Sequence, residues 1–159
     1  MSNSIIFLSG FALSLLVYAL LARFVWWDYL KSEPSGKADA LLLVPHTFRH
    51  LGLLVLVPEV VGVPVTNTAF AAMLAYGDAM VAPLAVISMW LWLSGSKAAK
   101  WLTWLFSIVA SLDLVNSIYG ALTLPVFTFG IGAFWIVLTC LVPLLVVTQI
   151  LIFTRLARG

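Results

Sequence analysis

Five long apolar runs determine what this chain can fold into, because each has the length of a membrane-spanning helix. They cover about residues 4–27, 40–63, 69–93, 101–124 and 130–153. An α-helix needs about 20 apolar residues to cross the hydrocarbon core of a bilayer. Hydrophobic residues make up 64% of the 159 residues and charged residues 9%, whereas roughly a quarter of a soluble domain is charged. We therefore predict an all-α integral membrane bundle of five transmembrane helices, forming a single domain over residues 1–159.

The polar segments between the runs predict how the chain is oriented. The first run lacks the basic start and the small-residue cleavage site of a secretory signal, so it is expected to remain as a helix. Asp28 to Asp39 is expected to form a loop, because Pro34 and Gly36 interrupt helices. Pro64–Thr68 and Pro125–Gly132 are expected to contain the uncharged turns. Seven cations lie in or beside the first loop, the third loop and the C-terminus: Arg23, Lys31, Lys37, Lys97, Lys100, Arg155 and Arg158. Cytoplasmic loops are enriched in Lys and Arg, which predicts a bacterial cytoplasmic membrane protein with the N-terminus outside and the C-terminus cytoplasmic.

One polar stretch, Pro45–His50, interrupts the second apolar run. At about 100° per residue in an α-helix, His46, Arg49 and His50 share one face. Arg49 and His50 lie roughly 15 Å from a helix start near Ala40, which is close to the middle of the bilayer. Ionisable groups at that depth must face protein, water or a partner. These three residues are therefore candidates for a site.

Polar residues in the third and fourth runs supply partners at a similar depth. Asp78 shares a face with four alanines, and small residues let membrane helices approach closely. We predict that Arg49 or His50 pairs with Asp78, and that Asp113 lies close by. The complete set of candidate ligand-binding or proton-titrating residues is His46, Arg49, His50, Asp78, Asp113 and Asn116. An ion pair that only fixes the helix register explains the same pattern, because buried charges must pair in either case.

A metal ion is the cofactor that the two histidines suggest. His46 and His50 are separated by four residues, a spacing found in helical zinc sites, although Arg49 between them would repel a cation. Haem cannot be clamped within one monomer by two histidines on one helix face, and every lysine lies in a loop, which excludes a retinal Schiff base. On the fifth run, Thr148 and Gln149 could hydrogen-bond across helices.

The residues Pro45-His46-x-Phe48-Arg49-x-x-Gly52-Leu53, followed by Ala75-Tyr76-Gly77-Asp78, resemble a pattern in uncharacterised bacterial multi-pass membrane proteins. The resemblance covers the second and third runs. It implies that His46, Arg49 and Asp78 work together, and it implies no activity. His50 and Glu59 lie outside the pattern.

Three classes of function fit these observations. The first is an intramembrane polar pocket that binds or transports a small ligand or ion, with Arg49 as an anion or counter-ion anchor. The second is a membrane enzyme that acts on a lipid or isoprenoid-like substrate by His and Asp acid–base chemistry. The third is a non-catalytic subunit of a larger membrane complex. The expected partners are the lipid bilayer, a small ligand or ion, and copies of the chain or other subunits. A net charge of +2 gives no indication of nucleic acid.

Overall fold

The computed structural model describes residues 3–61, 68–123 and 131–158, and it contains helices and no strand within them. Five of these helices are long and apolar enough to cross a membrane, which confirms the predicted fold class. We label them α1 to α5. α1 comprises Asn3–Leu21, a π-helical turn Ala22–Trp26 and Trp27–Ser32, and α2 comprises Ser35–Thr47 and a 3₁₀ segment Phe48–Leu56. α3 is Ala69–Leu93 and α4 is Ala99–Thr123. α5 comprises Phe134–Ile136, a π-helical turn Val137–Leu141 and Val142–Arg158. A short helix, Pro58–Val61, follows α2.

The loop expected at residues 28–39 is much shorter in the structure. α1 continues through Ser32, and α2 begins at Ser35, so Glu33 and Pro34 form the connection. Pro34 has the extended backbone that precedes a helix, but Gly36 lies within the first turn of α2 and does not break it. A Cβ atom on Gly36 would lie 2.9 Å from the carbonyl oxygen of Trp92. Gly36 therefore allows the start of α2 to pack tightly against the end of α3.

α2 changes its helical form in the middle of the bundle. It is α-helical from Ser35 to Thr47 and then 3₁₀-helical from Phe48 to Leu56. Pro45 precedes the change, and its missing N–H removes one α-helical hydrogen bond. A 3₁₀ segment of 9 residues is unusual, because runs longer than about four residues are uncommon and mark strain or a functional hinge. The 3₁₀ segment ends at Leu56, before the predicted end of the second span at residue 63, and residues 62–63 lie outside the described residues.

Small residues on α3 allow its neighbours to pack closely. Ala71, Ala75, Ala82 and Ala85 are all buried, as their shared face with Asp78 predicts. α3 contacts both α2 and α4, and α5 contacts α1 and α2. Large apolar side chains on the outer surfaces are exposed on the isolated chain, which is where lipid would cover them.

The buried apolar residues form two clusters at different depths. One contains Leu43, Val81 and Phe106 with parts of α1 and α5. The other contains Val55, Phe70 and Phe134. Along α2, α3 and α4 the charged residues Arg49, Asp78 and Asp113 fall between these clusters, so they lie within the protein interior rather than at either end.

Arg155 and Arg158 lie at one end of the bundle, where they contact residues of α1 and α2. Arg155 on α5 bonds with Asp39 and with the carbonyl oxygen of Leu30. The Arg158 guanidinium lies 4.9 Å from the ring centroid of Trp27. We call this end the basic end and the opposite end the outer end. The turns expected at residues 64–67 and 125–130, together with the boundaries expected at residues 124 and 130, lie outside the described residues.

Candidate functional site

Arg49 joins three helices at the centre of the bundle. Its Nε donates to Oδ1 of Asp78 on α3 at 2.6 Å, and its Nη2 donates to Oδ2 of Asp113 on α4. Its Nη1 donates to the carbonyl oxygen of Ala110 at 3.3 Å. The Arg49 side chain is only 2% exposed. These contacts confirm the predicted pairing with Asp78 and the predicted proximity of Asp113. We call Arg49, Asp78 and Asp113 the triad.

Two glycines make room for the carboxylates of the triad. A Cβ atom on Gly52 would overlap with the Asp78 carboxylate, and a Cβ atom on Gly77 would overlap with the Asp113 carboxylate. Each acid thus lies directly against the backbone of the neighbouring helix. Both glycines belong to the sequence pattern described above, but their role depends on the register between helices, which the sequence does not specify.

The triad has an uneven charge. One guanidinium faces two carboxylates, so the group carries a net charge of −1 when both acids are ionised. A guanidinium has five N–H donors in a planar fork, and the two carboxylates and one carbonyl oxygen already occupy part of that fork. Arg49 is therefore a counter-ion to the two acids, which leaves little attraction for a further anion.

His46 is buried but lies apart from the carboxylates. It is 0% exposed, and its Nε2 lies 3.1 Å from the Oγ1 atom of Thr148 on α5. Its ring packs edge-on against Phe106 at a centroid distance of 5.1 Å. The helix-crossing contact expected of Thr148 is thereby confirmed. Gln149 also crosses between helices, with its Nε2 atom 3.4 Å from the carbonyl oxygen of Ser107.

The prediction that His50 shares one face with His46 and Arg49 is wrong. His50 is exposed, and its Nδ1 donates to the carbonyl oxygen of Thr47 at 2.9 Å. The prediction assumed 100° per residue, whereas a 3₁₀ helix advances by about 120°. In 3₁₀ geometry every third residue shares a face, and Arg49, Gly52 and Val55 are indeed the buried residues of this segment.

The change of helical form also removes the geometric basis for a metal site. His46 is buried and His50 is exposed, so the two rings do not share a face. Within residues 3–61, 68–123 and 131–158, no group of three or more His, Cys, Asp or Glu side chains could hold a metal ion.

Of the other predicted positions, Asn116 is exposed and its amide lies 2.9 Å from the sulfur of Met73, away from the triad. Glu59 is exposed.

A cavity of about 210 Å³ lies between the triad and the outer end of the bundle. We call it the outer cavity. Arg49 and Asp78 line it together with Ser117, and most of the remaining wall is apolar. Four phenylalanines contribute to that wall: Phe7, Phe11, Phe70 and Phe134. The sequence does not indicate this cavity, because the residues of α1 and α5 that line it are all apolar.

A second buried ion pair was also missed. Asp39 was assigned to a loop, but it is 8% exposed, and its Oδ1 accepts from Nε of Arg155 at 2.6 Å. The signal in the sequence was an acid near the start of one span and an arginine near the end of another, both at the basic end. This pair fastens α2 to α5.

The chain belongs to the family described as Domain of unknown function (DUF8737), which it matches over residues 6–157. The match spans all five apolar helices of this chain, and the description of the family names no activity. No curated protein and no solved structure matches the chain.

Proposed function

We propose that this membrane protein binds an elongated apolar molecule with a small polar end group, of the lipid or isoprenoid class. The observation that carries the proposal is the outer cavity, whose walls are apolar and whose inner limit includes Arg49 and Asp78. Ligand sites are mainly apolar, with a few polar groups that fix the orientation of the ligand. The polar end would lie at the triad, and the apolar part would lie among the four phenylalanines.

The size of the cavity indicates how much of such a molecule it could enclose. Pockets that bury a drug-sized ligand measure about 300–1,000 Å³. The outer cavity is smaller, at about 210 Å³, and is partly open. It would therefore hold the polar end and the adjoining part of the chain, while the remainder extends into the surrounding lipid.

The charge of the triad favours a neutral or cationic end group. With both acids ionised, Asp78 and Asp113 outnumber the single guanidinium of Arg49. A hydroxyl or amine could donate to Asp78 without adding negative charge to a region of low dielectric. A phosphate would bring at least one further negative charge, which is costly at this depth.

The acid–base enzyme alternative receives less support from the geometry. It requires a histidine beside a carboxylate, but His46 contacts Thr148 and Phe106, and His50 is exposed. Among the described residues, no hydrogen bond or ion pair joins either ring to Asp78 or Asp113. Binding is therefore the function that the site supports best.

We further propose that the basic end faces the cytoplasm and the outer cavity faces the opposite leaflet. The support for this orientation is the positive-inside rule applied to seven of the eight Lys and Arg residues, since Arg49 is the one within the bundle. The setting that we propose is a bacterial cytoplasmic membrane, which agrees with the resemblance to bacterial multi-pass membrane proteins.

The test compares two probes with the same chain and different ends, farnesol and farnesyl phosphate. Thermal unfolding of the purified protein in mild detergent is measured with each probe. We expect farnesol to raise the midpoint and the phosphate to have a much smaller effect. A probe at a concentration one hundred times its Kd stabilises the native state by about 2.7 kcal/mol, which such an assay detects readily.

Two variants on α4 test whether farnesol binds in the outer cavity. Ser117 lines the outer cavity, so Ser117→Phe should abolish the farnesol effect by occupying the space. Leu112 is 68% exposed, and Leu112→Phe is the matched control that should keep the effect. Equal responses of the wild-type protein and both variants, or equal stabilisation by the two probes, would contradict the proposal.

A further inference from the structure

A second polar cluster lies between the triad and the basic end. It contains five residues that are each at most 5% exposed: His46, Ser88, Ser107, Thr148 and Gln149. We call it the polar layer. Four of its side-chain atoms have no hydrogen-bond partner among the residues that the structure describes, namely His46 Nδ1, Ser88 Oγ, Ser107 Oγ and Gln149 Oε1. None of them belongs to the outer cavity.

Contacts place these residues at one level of the bundle. Gln149 donates to the carbonyl oxygen of Ser107, and the neighbouring Thr148 bonds with His46. The ring of His46 packs on Phe106, which precedes Ser107 in α4.

Helix register places Ser88 at the same level. Trp92 on α3 donates to Thr103 on the antiparallel α4 at 2.8 Å. One turn further into the bundle, Ser88 precedes Trp92 by four residues and Ser107 follows Thr103 by four residues. The two serines therefore lie at the same level of the bundle, and both are 0% exposed.

The hydrogen bonds around His46 show which atoms of the polar layer still need a hydrogen-bond donor. The Thr148 hydroxyl has one proton and lies 2.8 Å from the carbonyl oxygen of Leu144. With that proton directed to Leu144, Thr148 accepts from Nε2–H of His46, and Nδ1 becomes a bare acceptor. Gln149 Oε1 is a second acceptor without a donor. The two serine hydroxyls can each donate or accept.

We propose that the polar layer is a binding site for internal water. A water molecule has two donors and two acceptor positions, which match two bare acceptors and two free hydroxyls. Buried waters typically make about three hydrogen bonds to polar groups that would otherwise lack partners. Leaving four buried polar atoms unpaired would be costly, and this cost is absent when water binds.

A second cavity, of about 260 Å³, reaches the edge of the polar layer at Thr148. Thr148 lines it, together with Pro45 on α2 and Tyr29 near the basic end of α1. One turn beyond His46 along α2 lies Arg49. The bound water would therefore extend a polar connection from this second cavity toward the triad, and it does not depend on the ligand of the outer cavity.

The first test is the sign of the stability change when one hydroxyl is removed. If Ser107 and Ser88 bind water, Ser107→Ala and Ser88→Ala should each lower the midpoint of thermal unfolding by roughly 2–4 °C. Ser111 is half-buried on α4 one turn away, and Ser111→Ala serves as the control, with an expected change of about 1–2 °C or less. Midpoints that rise or stay unchanged in both serine variants would overturn the proposal, since removing an unpaired hydroxyl relieves its burial.

The second test observes the water directly. A crystal or cryo-electron microscopy structure that resolves ordered water elsewhere in the protein should show density about 2.7–3.2 Å from at least two of the four atoms. Continuous side-chain packing without such density would overturn the proposal even if the variants are destabilised.

Discussion

Replacing Arg49 by Met tests whether the triad is held together by charge. The substitution removes the guanidinium that contacts Asp78 and Asp113 and leaves two carboxylates in the interior. Breaking a buried ion pair by removing one partner costs about 3–5 kcal/mol, because the other charge remains uncompensated. For a domain of this size, such a loss lowers the unfolding midpoint by roughly 6–20 °C.

A triple variant separates the cost of unpaired charge from the value of the pair. Replacing Arg49 by Met and both acids by Leu removes the uncompensated charges and fills the same space with apolar atoms. Apolar replacement of a complete buried ion pair is often neutral or stabilising, so we expect the triple variant to unfold close to the wild-type midpoint. The assay is thermal unfolding in one detergent, followed by circular dichroism. An Arg49→Met midpoint within about 1–2 °C of wild type would refute the reasoning, and so would a triple variant that is as unstable as the single one.

The remaining predictions use the same unfolding assay. Gly52→Ala and Gly77→Ala should both be strongly destabilising, because each added methyl group overlaps with a carboxylate of the triad. Gly10→Ala is the control and should be tolerated, because its Cβ would lie 3.5 Å from the nearest atom. Equal effects at the three glycines would contradict this prediction. His46→Ala should lower the free energy of unfolding by about 1–3 kcal/mol, because the contact with α5 is lost. His50→Ala should change it by no more than about 0.5 kcal/mol, because the ring is exposed. A larger loss for His50→Ala than for His46→Ala would contradict the orientation of the 3₁₀ segment.

The five spans could be predicted because hydropathy acts on whole segments. A run of about 20 apolar residues has few other stable arrangements. The prediction of a loop over residues 28–39 is wrong, because polar residues there continue α1 to Ser32 and begin α2 at Ser35. Asp28 and Lys31 lie 3.7 Å apart on consecutive turns of α1, where long side chains remain solvated while the helix continues. Polar residues at the end of a span therefore show where the membrane interface lies better than they show where the helix ends.

The triad could be predicted because charge and depth act together. Arg49 had to find partners at mid-depth, and Asp78 and Asp113 were the acids available there. The position of His50 could not be predicted, since it depends on a local change from α to 3₁₀ geometry that rotates each later residue. The outer cavity was also beyond the sequence, because its walls are apolar residues from helices that meet only in three dimensions.

The most direct test of the proposed function is a structure of the protein extracted with its native lipids into nanodiscs. We predict elongated density in the outer cavity, with one end within hydrogen-bond distance of Asp78 or Arg49 and the other end directed into the bilayer. The same preparation of Ser117→Phe should lack that density. An outer cavity closed by its own side chains, or the same density in both proteins, would contradict the proposal that this cavity binds a lipid-like or isoprenoid-like molecule.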